Sequence, residues 1–226
     1  MSSYERTNKH LFPKWVNYLL PFLVLGAMGA GVYVPGMMFF GMSPKTTDVG
    51  YGPTQPVPFS HQLHAGQLGM DCRYCHSTVE KAGFAAVPAT QTCMGCHTQI
   101  RNNSPKLAAV RESWETGKPV EWVKVHDLPD YAYFNHAAHV TAGVGCVSCH
   151  GRIDTMEVVA QAQPLSMAWC LDCHRAPEKH LRPKSEVTNM TYQPEGGDQL
   201  ALGLKLKAEY GIKSEAYMIS CSTCHR

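Results

Sequence analysis

All ten cysteines of this 226-residue chain fall in five copies of one pattern. They read Cys72-Arg-Tyr-Cys75-His76, Cys93-Met-Gly-Cys96-His97, Cys146-Val-Ser-Cys149-His150, Cys170-Leu-Asp-Cys173-His174 and Cys221-Ser-Thr-Cys224-His225. Two thiols with two residues between them, followed at once by an imidazole, form the attachment signature of a c-type haem. The thiols add across the vinyl groups, the intervening residues set their separation, and the histidine turns its ring onto the iron. The pattern predicts five covalently attached haem c groups, with His76, His97, His150, His174 and His225 as proximal ligands.

Other uses of cysteine do not fit the spacing. A disulfide framework has no need of a histidine after every second cysteine. A zinc site draws four ligands from two such pairs, and five pairs divide badly into fours. A thioredoxin-like pair occurs once, beside a βαβ pattern.

Whether such irons carry electrons or react with a substrate depends on the sixth coordination position. Two imidazoles give a low-spin iron that exchanges electrons with little rearrangement, whereas an open position admits a substrate; methionine in place of histidine raises the potential. The chain has twelve histidines, and five of them are proximal. His10 precedes the apolar segment described below and lies on the wrong side of it. His61, His64, His126, His136, His139 and His180 remain as candidates. Four come from two blocks, Phe59-Ser-His61-Gln-Leu-His64 and Phe134-Asn-His136-Ala-Ala-His139, each spaced so that neighbouring rings can reach two different haems. His126 is preferred over His180 for the fifth, and a methionine ligand (Met167, Met190 or Met218) stays open for one haem. No motif carries lysine in place of the proximal histidine. The ligand count favours electron transfer, with no catalytic residue and no small-molecule substrate of the chain's own.

The two Phe-x-His-x-x-His blocks lie 75 residues apart, the Cys pairs that follow them 74 apart, and the second pairs of each unit 77 apart. A two-haem unit has been duplicated and a further motif appended. The expected organisation is an N-terminal stretch (1–14), an anchor (15–42), a Pro-, Gly- and Thr-rich linker (43–56), a first two-haem unit with a connecting helix (57–131), a second unit (132–174) and a C-terminal segment carrying the fifth motif (175–226). In the connecting part, Ser104-Pro105 suits the cap and first position of a short helix, with Leu107, Val110 and Trp114 on one face and Gly117 at its end. A second helix is expected from Asp198 to Glu209, stopped by Gly211.

Residues 15–44 contain no Asp, Glu, Lys, Arg or His. A bilayer core of about 30 Å needs about 20 apolar residues as helix, so this stretch can span it. The helix is expected from Trp15 to Val34, with a break or kink at Pro35-Gly36 and residues 37–42 along the interface. Pro21 is tolerable within lipid. The run continues well past the cleavage region of a signal peptide with Leu19–Leu25 as its core, which favours an uncleaved anchor. Arg6, Lys9 and Lys14 precede the span and only Lys45 closely follows it, so the N-terminus is expected in the cytoplasm and the haem-bearing part on the periplasmic side of a bacterial inner membrane. Covalent haem attachment, completed outside the cytoplasm in bacteria, agrees. Gly26, Ala27, Ala30 and Gly31 give a small-residue face suited to a partner helix.

The near-even charge, net +2, gives no sign of nucleic-acid binding. Enclosing five bulky macrocycles within residues 57–226 leaves little room for an aliphatic core. The fold class expected is a multihaem cytochrome c with class III/c7-like repeats: mostly α and loop, little sheet, with one N-terminal transmembrane helix.

Several further stretches carry a resemblance: Phe59-Ser-His61-Gln-Leu-His64-Ala-Gly, Asp71-Cys-Arg-Tyr-Cys-His76, Glu121-Trp-Val-Lys-Val-His126-Asp-Leu-Pro-Asp130, Phe134-Asn-His136 and Met167-Ala-Trp-Cys170. With the anchor, they closely resemble the pentahaem cytochrome c subunit of bacterial alternative complex III, over nearly the whole chain and least after Cys173. The resemblance implies a role rather than a self-contained enzyme. In that family a polytopic subunit oxidises membrane quinol, and electrons pass through an iron–sulfur subunit and the haem wire to a monohaem cytochrome c or directly to an oxidase. A stand-alone, membrane-anchored quinol dehydrogenase feeding periplasmic reductases is the alternative. A multihaem reductase of small nitrogen or sulfur compounds, which needs an open iron, ranks third.

Overall fold

The computed structural model describes residues 13, 15–41 and 46–225. Arg6, Lys9, Lys14 and Lys45, on which the orientation of the anchor rests, lie outside them, as do His10 and Met42. The chain divides into two compact units, residues 1–47 and 48–226.

The described part of the first unit is dominated by α1 (Val16–Gly41), a 26-residue helix with no buried residue. At 1.5 Å per residue it is about 39 Å long, longer than a bilayer core, and it is apolar enough to cross one. Phe22 is 72% and Val32 78% exposed, apolar surface that lipid would cover. The helix runs through Pro21 and on through Pro35 to Gly41 instead of ending at Val34. Each proline removes one backbone bond, and in an apolar stretch the alternative of leaving the helix would strand many more.

The second unit has short helices joined by long irregular segments. In chain order they are α2 (Cys72–Cys75), α3 (Thr90–His97), α4 (Ala108–Thr116), α5 (His136–Thr141), α6 (Val147–His150), α7 (Met167–Arg175), α8 (Gln199–Glu209), α9 (Glu215–Met218) and α10 (Cys221–Cys224). Among the described residues there is no strand, only an isolated antiparallel bridge between Val144 and Leu181. The buried apolar side chains described are Val57, Met94, Val110, Leu181, Val187 and Leu206, a thin core for a unit of this size. Val57, Met94 and Val110 form one cluster, with Leu107 and Trp122 packed against it.

The connecting helix begins as a 3-10 turn, Pro105–Leu107, before α4. Ser104 makes no capping hydrogen bond there, and Gly117 ends α4 with φ +70°. The face expected from Leu107, Val110 and Trp114 is rotated: Val110 and Ser113 are buried while Trp114 is half exposed. Ser113 Oγ is held by Thr90 Oγ1 at 2.7 Å and donates to the Lys118 carbonyl, so a polar contact to α3 fixes the helix rotation.

Residues 48–56, read from composition as linker, are fastened to the second unit. Gly50 N–H donates to the Gln161 carbonyl at 2.8 Å, and Gln55 exchanges two hydrogen bonds with the backbone of Val123. The expected C-terminal helix appears as α8, capped by Asp198, whose side chain accepts from Ala201 N–H. It packs on the 3-10 turn Pro177–Lys179. A Cβ at Gly203 would lie 1.8 Å from the Glu178 carbonyl oxygen, so that contact requires glycine. Gly203→Ala is therefore expected to destabilise the haem-loaded protein by about 1–3 kcal/mol, measured as a lowered midpoint in thermal unfolding; an unchanged midpoint would show that α8 does not sit so close.

Candidate haem sites

Each Cys-x-x-Cys pair occupies a single helical turn: α2, the end of α3, the start of α6, the middle of α7 and α10. Residues three apart in a helix share a face, so each turn presents both thiols to one side, with the histidine at or just past its end. Local capping fixes two of these turns. Asp71 accepts from Arg73 N–H at 2.8 Å before α2, and Ser166 accepts from Trp169 N–H before α7. Asn135 caps α5 in the same way, ahead of His136 and His139. Arg73 also grips the Asp71 carboxylate through Nε and Nη2 and holds it well below the usual carboxylate range.

Seven of the ten candidate imidazoles share one arrangement. The Nδ1 atoms of His76, His97, His174 and His225 lie 2.8–3.0 Å from the carbonyls of Ala86, Ile100, Met218 and Tyr131. Those of His64, His136 and His139 lie 2.8–2.9 Å from the carbonyls of Ser60, Gly83 and Asn135. A carbonyl can only accept, so Nδ1 carries the proton and Nε2 is left as a bare donor atom. This is the tautomer and the support that a metal-bound histidine needs.

The rings then pair across gaps of one size. Ring centres are 6.3 Å apart for His64 and His97, 6.5 Å for His136 and His150, and 6.1 Å for His139 and His174. Two metal–nitrogen bonds of about 2 Å, with about 1.1 Å from nitrogen to ring centre on each side, require about 6.2 Å. The protein thus holds three imidazole pairs at the separation of two ligands on one metal ion. His61 lies near His76, close enough for their charges to repel, and burial brings the pKa of His61 down to about 4. Burial likewise lowers His150 to about 3 and depresses His139 and His126. These rings stay neutral at physiological pH, as ligands must.

The site residues predicted from the sequence thus come together in three ring pairs, and His61 also lies near His76. His126 lies against His150, ring centres 4.5 Å apart, while His225 is met by the ring of Tyr131 at 5.8 Å. His180 caps the turn Pro177–Lys179, where burial lowers its pKa. The Met218 carbonyl makes a contact at the sites, as acceptor for His174. Buried ring nitrogens of His61, His126 and His150, and Arg182 Nε, have no protein partner. An unmet buried donor or acceptor is costly; His126 Nε2 is a nitrogen that a bound metal could satisfy, whereas Nδ1 of His61 and of His150 would point away from a metal held at Nε2. Burial pushes the Cys149 thiol up to about 12 and the Cys173 thiol to about 11, so both stay protonated at neutral pH. The residues present fit covalently bound haem.

Sequence reasoning missed the carbonyls that orient the rings, since any residue type can supply one. It also missed Arg182. The guanidinium lies over the Gly145 backbone, where a Cβ would meet it at 2.3 Å, and Nη1 donates to the Asn189 carbonyl at 2.8 Å. Glycine before Cys146 was the only signal.

Comparison with known proteins agrees with this geometry. Residues 57–113, which hold the first Phe-x-His-x-x-His block and the first two motifs, match the family model for cytochrome c7 and related cytochrome c. Over that stretch the chain is similar to a cytochrome c7-like multihaem cytochrome domain. Over 97 residues it is 40% identical to the menaquinone reductase multihaem cytochrome c subunit of Nitratidesulfovibrio vulgaris. That match covers 42% of this chain and 45% of the relative, so it spans less than half the length of either protein. The described residues are mostly helix and loop, with one apolar helix long enough to cross a membrane, and the matched family is one that binds haem c covalently.

His64→Ala and His139→Ala are each expected to leave covalent haem content unchanged while converting one haem per chain from low to high spin, read by electron paramagnetic resonance. Unaltered low-spin signals in both variants would remove the pairing with His97 and His174.

Proposed function

We propose that this chain is a membrane-anchored pentahaem c-type cytochrome that carries electrons. Its place is as a non-catalytic subunit of a quinol-oxidising respiratory complex of the alternative complex III type, towards a cytochrome c or terminal oxidase. The observation that carries the reading is the set of imidazole pairs 6.1–6.5 Å apart. Irons capped on both sides by protein have no position for a substrate, which favours a carrier over a reductase.

Bound haem supplies reversible one-electron chemistry; the chain's own part is attachment, orientation and shielding. Helical turns would present the thiols, backbone carbonyls hold the Nδ1 protons of seven of the rings, and burial keeps the buried rings neutral. Five motifs each with two thiols and one histidine support a count of five haems. The ligand residues proposed are His76, His97, His150, His174 and His225 on the proximal side and His61, His64, His126, His136 and His139 on the distal side.

The relative's name places that protein in a menaquinone reductase, which supports a quinone-linked complex with further subunits here. The partners proposed are an iron–sulfur subunit, a polytopic quinol-binding subunit and a monohaem cytochrome c, in a bacterial inner membrane with the haem-bearing unit on the periplasmic side. A second reading, a stand-alone quinol dehydrogenase, draws on His225 of the appended motif, whose ring neighbour is Tyr131, whereas His97, His150 and His174 each face a histidine.

Mild detergent extraction is expected to retain a polytopic quinol-binding subunit and an iron–sulfur subunit with this chain. The reduced pyridine spectrum of the purified protein should give five haems per chain. Quinol oxidation by the chain freed of partners would overturn the subunit reading, and a haem yield well short of five would overturn the count.

A further inference from the structure

We infer that the five attachment motifs stand in space in the order second, first, third, fourth, fifth, so that the groups bound at the second and fifth motifs end the array. The inference deepens the proposed function and rests on its five-haem count. The chain order, by contrast, would place the second motif between the first and the third.

Each link of this order has its own contacts. The first and second motifs are joined through the block that supplies their distal rings. Phe59 sits between His61 and His64, with ring centres 4.9 and 4.4 Å away. His64 pairs with His97 of the second motif, and His61 neighbours His76 of the first. The third and fourth motifs are joined by the equivalent block: Phe134 sits 4.7 and 4.5 Å from His136 and His139, which pair with His150 and His174.

The two units meet through their leading motifs. Cys146 N–H of the third motif donates to the Val187 carbonyl at 3.0 Å, and the next residue, Thr188, donates to Asp71 at 2.8 Å, immediately before Cys72 of the first motif. The Cys72 and Cys146 side chains are themselves neighbours. Gly83, which follows the first motif, accepts from both the backbone N–H and the Nδ1 of His136. The fifth motif is attached to the fourth. His174 Nδ1 meets the Met218 carbonyl at 3.0 Å, α9 packs on α7, and α10 begins three residues after Met218.

Exposure points the same way. Cys96 of the second motif and Cys221 of the fifth are the exposed cysteines; the other eight are partly shielded. A duplicated unit explains the arrangement. Two copies placed leading motif against leading motif put the trailing motif of the first copy on the outside. Exchange with redox partners then belongs to the outward ends, at the second and fifth motifs.

The test is anomalous scattering at the iron edge from crystals of the intact, haem-loaded chain, each iron being assigned to its motif by the thioether bonds. The expected result is that the first-motif iron has the second- and third-motif irons as its two nearest neighbours, while the second-motif iron neighbours the first alone. A second-motif iron lying between the first and third, or nearer to the third or fourth than to the first, would overturn the order. Fewer than five irons would instead overturn the count on which the proposed function rests, and the order would still be read among those present.

Discussion

A histidine can hold a metal only if its ring is neutral, aimed, and protonated on the far nitrogen. In this protein main-chain carbonyls hold Nδ1 of seven of the ten candidate histidines, and much of the second unit is arranged to deliver them. Some acceptors are local, as when Asn135 serves His139 and Ser60 serves His64 within one helical turn. Others come from far along the chain: Gly83 to His136, Met218 to His174 and Tyr131 to His225. Each distant pair closes a loop whose ordering costs entropy. With so few buried apolar side chains, the packing needed to offset that cost is absent from the protein part alone. Thioether bonds and paired imidazoles are the remaining source of constraint, which is why the irregular segments lie around the motifs rather than over a conventional core.

Duplication supplies the economy of the design. One short block, an aromatic ring followed by two histidines three positions apart, serves two neighbouring sites at once, and it is used twice. The phenylalanine stacks against the second histidine and meets the first edge-on in both copies, 20° and 84° in one and 26° and 88° in the other. The local structure around the two blocks differs, a π-helical turn over Gln62–Gln67 in the first and α5 in the second. The ring geometry is kept while the backbone is not, because the rings are placed by the phenylalanine and the carbonyl acceptors, and a residue more or less in the turn behind them does not move them.

Some elements were readable from residue types because their cause is local. Cys-x-x-Cys-His needs one helical turn and nothing else, and α8 is announced by Asp198 at its start and a glycine at its end. The apolar run of α1 is equally plain. The rotation of α4 was not readable, because Ser113 is turned inward by a hydroxyl contact to Thr90, a residue in another helix. Nor was the docking of residues 48–56, whose Pro- and Gly-rich composition reads as linker but whose backbone and Gln55 find partners at Val123 and Gln161.

What the sequence determined by itself is where the candidate chemistry lies: five Cys-x-x-Cys-His motifs and two Phe-x-His-x-x-His blocks, all carried by spacings of a few residues. What only the tertiary structure decided is adjacency. The partnership of His64 with His97 and of His139 with His174, the position of His126 beside His150, and the meeting of Cys72 with Cys146 join residues separated by long stretches of chain. Spacing along a chain fixes distances within a helical turn, whereas contacts between distant segments depend on how every intervening loop closes.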